Sequence, residues 1–109
     1  MKTFDFNKIK KQYMTVKLPD DENTTLMLTM PTKNVMDMFV SINDALSNDE
    51  IGEEAIDELY DICSTLLSRN KAGIKITPEK CGELLDFEDI ILFIQSYSEF
   101  ISDVTNAKN

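Results

Sequence analysis

With 109 residues, 42% of them hydrophobic and 28% charged, the chain has the size of one domain and enough apolar side chain to order itself, which argues against intrinsic disorder. The absence of histidine removes the commonest general base and the commonest transition-metal ligand together. The net charge of −9 is unevenly placed: the chain up to Pro19 carries +4, which leaves −13 on the remainder, a body that repels nucleic-acid backbones and anionic lipid.

The start, Met1 to Asn7, has no continuous apolar core of the kind a signal peptide carries, and a cytoplasmic location is expected. From Tyr13 to Leu18 the side chains alternate, with Met14, Val16 and Leu18 on one face, and from Thr24 to Met30 the alternation resumes with Leu26, Leu28 and Met30. Pro19 to Asn23 is polar turn material, so the two runs read as a β-hairpin. Pro31 ends the second strand and Thr32 caps a helix whose apolar positions are Val35, Met38, Phe39, Ile42, Ala45 and Leu46, stopping near Asn48.

Asp49 is the expected cap of a second helix with Ile56, Leu59, Ile62, Cys63, Leu66 and Leu67 in a stripe. Arg69, Asn70 and Gly73 close it, with Asn70 as a candidate for the left-handed region. Ile74 to Ile76 reads as short and extended. Thr77 and Pro78 open a short helix bearing Cys81, Leu84 and Leu85, and Asp86 caps a last helix from Phe87 to about Thr105. The fold class expected is α+β, mainly α: one N-terminal hairpin followed by about four helices in a single domain, 1–109, with 1–10 and 106–109 as flexible ends. The longest apolar run lies inside the last helix, between Asp89 and Gln95, and is far short of the roughly 20 residues that cross a bilayer. No membrane or nucleic-acid partner is expected.

Several segments resemble the small tail assembly chaperones encoded by long-tailed phages and prophages of Gram-positive bacteria. They are the lysine-rich start Asp5 to Lys11, the strand Tyr13 to Pro19, Met30 to Lys33 entering a helix, Ser68 to Lys71 after the second helix, and Asp86 to Ile90 opening the last. None of these is a chemical signature. The resemblance implies a cytoplasmic assembly factor that self-associates, engages the tape measure protein, keeps it soluble, recruits tail tube protein subunits and leaves the finished particle. It also implies a longer frameshifted form whose added part contacts the tube protein.

The residues themselves suggest two candidate protein-contact features. The last helix is apolar around much of its circumference, and Phe93, Tyr97, Phe100 and Ile101 read either as ordinary core or as a self-association or client surface. Glu53, Glu54, Asp57, Glu58 and Asp61 gather on the second helix. Of these, Glu54, Asp57, Glu58 and Asp61 lie near one another and read as a solvated face or as a surface for a basic partner segment. They lack the glycine-containing loop by which carboxylates wrap calcium, and no metal is expected there. Phe4, Phe6 and Ile9 either pack on the domain or form a second contact element.

Ser64, Ser68, Ser96 and Ser98 have no histidine to activate them. The three glycines, Gly52, Gly73 and Gly82, build neither a phosphate-binding loop nor a dinucleotide fingerprint. Cys63, set among apolar positions, reads as a buried small hydrophobe. No catalytic residue, metal ligand or cofactor is therefore assigned, and the chain is expected not to be an enzyme. Two other classes remain beside the chaperone: an acidic mimic of nucleic acid that inhibits a DNA-binding protein, and a structural head or tail component retained in the particle.

Overall fold

A computed structural model describes residues 2–46 and 52–106, with the side chains of 45 and 46 outside the description. Within it, an antiparallel hairpin of β1 (Met14–Lys17) and β2 (Thr25–Leu28) precedes the helices α1 (Lys33–Leu46), α2 (Glu53–Ser68), α3 (Pro78–Leu84) and α4 (Phe87–Asn106). At 59% helix and 9% strand the chain is α+β, mainly α. A single 3-10 turn, Phe6–Lys8, lies in the leader and is capped by the Asp5 side chain.

The hairpin pairs Met14 with Leu28 and Val16 with Leu26, so the apolar alternation of both strands falls on one face, with Leu26 and Leu28 buried. Its turn is held by Asp20, whose carboxylate accepts hydrogen bonds from the Thr24 backbone N–H at 2.9 Å and from the Thr24 hydroxyl. These bonds hold the Asp20 carboxyl below its usual range. Asn23 takes the left-handed conformation at φ 52°, which its short amide side chain tolerates.

The strands are shorter than the alternation suggested, with a ladder of Met14–Lys17 against Thr25–Leu28. On the edge of β2 turned away from β1, the Thr29 N–H donates to the Arg69 carbonyl at 3.0 Å and the Lys71 N–H donates to the Met27 carbonyl at 2.9 Å. The segment after α2 therefore occupies the free edge of β2, with Leu28 bridged to Asn70. That contact covers an edge that would otherwise be open to another chain.

Helix α2 is the centre of the fold and packs against α1, α3, α4 and β2. It buries Leu59, Ile62, Cys63, Leu66 and Leu67, as its stripe requires, and Ser64 as well. Its N-cap is Gly52, which supplies no side-chain cap. The expected cap Asp49 and the expected α1 stop near Asn48 lie outside the described residues, as do the side chains of Ala45 and Leu46; of the end expected to fray, 106–109, Asn106 is the last residue of α4 and the rest lies outside the description. Two apolar-stripe positions depart from expectation: Met38 is 45% exposed and Ile56 is 38% exposed. Met38 lines a hollow between α1 and α2. Ile56 shares its hollow with Gly82 of α3, which has no side chain to cover it.

Asn70 is not in the left-handed region; that conformation falls to Gly73 at φ 73°. The Asn70 side chain instead donates to the Leu67 and Ile74 carbonyls at 2.9 and 2.6 Å and accepts from the Ile74 N–H at 2.9 Å. The segment Ile74 to Ile76 joins no sheet. Ser68 accepts from the Ile76 N–H at 2.9 Å, and Ser64 and Ser68 both donate to the Ile76 carbonyl. Three α2-proximal side chains thus do for this segment what a neighbouring strand would have done. Thr77 caps α3 through the Lys80 N–H, with Pro78 at the first helical position. Asp86 and Asp89 cap α4 reciprocally, each carboxylate accepting the other's N–H at 2.8 and 2.9 Å.

Candidate protein-contact site

The apolar stripe of α4 divides into an inner row and an outer one. Ile90, Ile94 and Tyr97 are buried, whereas Phe93, Phe100 and Ile101 are half-buried against the same core. Tyr97 stands among Phe39, Phe93 and Phe100, with ring centroids 5.8, 6.1 and 5.8 Å away. Its hydroxyl donates to the Thr29 carbonyl at 2.9 Å, and burial pushes its pKa up to about 12. With no exposed surface, Tyr97 has nothing to offer a second chain. Among the four candidates on this helix, it is the one placed wholly as core.

Phe93 is placed differently. It forms part of the wall of a hollow of about 250 Å³ between the hairpin and α4, together with Val16, Leu18, Leu67 and Leu85, and with Lys17 and Asp89 beside them. The lining is mainly aliphatic and aromatic. Its volume lies below the roughly 300 Å³ at which small-molecule pockets begin, and suits one or two side chains of a protein partner.

Glu54, Asp57, Glu58 and Asp61 are all exposed on α2, and no basic residue occurs anywhere on that helix. They do not converge on one site. Glu58 and Asp61 border a hollow of about 240 Å³ floored by Met38, Ile42 and Ile62, and Asp57 borders with Asp61 a more open hollow shared with Ile56, Tyr60 and Pro78. Among the described residues no group of three or more His, Cys, Asp or Glu side chains is arranged to hold a metal ion. The one ion pair among them is Lys33 with Asp37, at 2.7 Å on the exposed face of α1.

The leader contributes the most exposed aromatic side chains. Phe4 and Phe6 are 72% and 74% exposed and stack edge to face, centroids 4.9 Å apart at 82°. Lys71 sits 5.4 Å from the Tyr13 ring centroid, a cation–π contact that fixes the end of the leader. Ile9 to Gln12 border a fourth hollow with Pro31, Thr32 and Val104.

Cys63 and Cys81 are free and buried. The hydrogen-bonded Cys81 thiol and burial together push the Cys63 thiol up, so it is not a thiolate at neutral pH. Tyr60 donates to the Leu85 carbonyl at 2.9 Å, and burial raises its pKa as well. No described helix is long and apolar enough to cross a membrane.

The walls of the two apolar hollows, Val16, Leu85, Met38 and Ile62, read in the sequence as apolar packing positions and not as walls of a site. An incompletely filled groove and a filled one carry the same apolar periodicity, so no signal in the chain separates them. Comparison with protein-family models, curated proteins and solved structures finds no match for this chain.

Proposed function

We propose that this chain is a protein-binding assembly factor of the tail assembly chaperone type, which holds apolar segments of a tape measure protein and passes them to tail tube subunits. The observation that carries the reading is the hairpin–α4 hollow. It is an apolar recess of side-chain size with Phe93 in its wall, set in a body of charge −13. An apolar recess gives affinity for a client side chain. The surrounding like charge keeps loaded copies from aggregating. The order and wording of the segments from Asp5 to Ile90 support the same reading through their resemblance to such chaperones.

The test is co-expression with an aggregation-prone tape measure fragment. The intact chain keeps the fragment in the soluble fraction, Phe93→Ala reduces that yield, and Leu92→Ala, at a 56% exposed position outside the hollow, leaves it unchanged. A fragment that stays insoluble with the intact chain overturns the proposal. Recovery of the chain in purified virions would favour a structural tail component, because a chaperone leaves the particle. Capture of a DNA-binding protein at low salt would favour the nucleic-acid mimic.

A further inference from the structure

The leader and the body of this chain are complementary in both charge and polarity. Residues 2–12 carry Lys2, Lys8, Lys10 and Lys11 against one acid, Asp5, together with the exposed Phe4 and Phe6 and the partly exposed Ile9. Two large aromatic rings standing in water are the kind of exposed apolar surface that marks a contact site. Across the fold, the α1–α2 hollow offers an apolar floor of Met38, Ile42 and Ile62 with Glu58 and Asp61 at its edge. Glu54 and Asp57 extend the negative charge along the same helix.

We infer that the leader of one copy docks in the α1–α2 hollow of a second copy. A phenyl ring of Phe4 or Phe6 fills the floor, and Lys8, Lys10 and Lys11 lie against Glu58, Asp61 and their acidic neighbours. The hollow selects the chemistry of its occupant: an apolar side chain flanked by cations. Every copy of this chain carries such a segment. The base of the leader, Ile9 to Gln12, borders a different hollow beside Pro31, Thr32 and Val104, and the two rings of Phe4 and Phe6 are turned to each other. Docking therefore leaves the body of each copy unchanged and trades a ring–ring contact in water for burial between subunits. Because leader and hollow are different surfaces, the association is head to tail, and it closes only as a ring or by reciprocal exchange of leaders. It does not depend on the client: a chain that associates this way yet fails to keep a tape measure fragment soluble retains this inference and loses the proposed function.

Sedimentation of the full chain at low and high salt tests it. The expected result is a mass above one chain at low salt that falls as salt rises. Phe4→Ala with Phe6→Ala weakens association by at least about thirtyfold. Reversal of the leader (Lys8→Glu, Lys10→Glu, Lys11→Glu) and reversal of the hollow (Glu58→Lys, Asp61→Lys) each give single chains, and mixing the two variants restores a complex between them. All these positions are exposed, and circular dichroism checks that each variant folds. A wild-type chain that stays at the mass of one copy in concentrated, low-salt solution overturns the inference, whether its leader is loose or folded onto its own hollow. So does an oligomer that the leader variants leave intact.

Discussion

Along one flank helix α2 buries Leu59, Cys63, Leu66 and Leu67 and fixes the following loop through Ser64, Ser68 and Asn70. Outside that stripe Glu53, Glu54, Asp57, Glu58 and Asp61 are exposed, and Met38 at the seam with α1 and Ile56 at the seam with α3 are uncovered. One flank is specified by close packing and by the pairing of buried polar groups. The other has neither, and its carboxylates make no ion pair among the described residues. The contrast teaches where to look for a partner surface: surface left apolar or charged with one sign without any structural need is the surface available to partners.

The contrast can be broken by substitution. Leu66→Ala, at a fully buried position, is expected to cost about 3 kcal/mol in urea unfolding, from lost burial and the cavity left behind. Asn70→Ala removes three side-chain hydrogen bonds and leaves the Ile74 N–H without its partner, at a cost of about 2 kcal/mol, read as a lower midpoint with an unchanged slope. Comparable losses from Leu66→Ala and from a substitution on the acidic flank would erase the distinction between the two flanks.

Tyr97→Phe keeps the ring packing, loses the bond to the Thr29 carbonyl and is expected to cost about 1 kcal/mol at neutral pH. It also sharpens the assignment of Tyr97 to the core. The folded hydroxyl titrates near pH 12 against an ordinary tyrosine value of 10, so between these values the folded state holds more protons than the unfolded one. The stability linked to Tyr97 is therefore fully present below pH 10 and lost as pH rises from 10 to 12. The phenylalanine variant should show a shallower loss over that window, measured by urea unfolding at stepped pH. The smallest effect belongs to Glu58→Gln and Asp61→Asn, expected to stay within about 0.5 kcal/mol of the parent because both side chains are exposed.

Most of the fold was legible in the chain because its signals are local. The alternation of Met14, Val16, Leu26 and Leu28, the Thr77–Pro78 start and the Asp86 cap each depend on neighbours within a few residues. What was not legible depends on distant partners. The free edge of β2 is covered by the segment around Arg69, forty residues on from Thr29, and Asn70 is held by its side-chain bonds and not by its own backbone preference. The candidate site follows the same division. That α4 is too apolar for a surface helix could be read from its sequence. That Tyr97 lies inside while Phe93 borders an unfilled recess depends on where the hairpin sits against that helix.

Amide hydrogen exchange of the chain, alone and with a tape measure fragment, tests the central claim most directly. Binding in the hairpin–α4 hollow predicts slower exchange in residues 16–19 and 85–93 when the fragment is present, with residues 59–67 of α2 unchanged. Exchange that is the same throughout the chain with and without the fragment would contradict it.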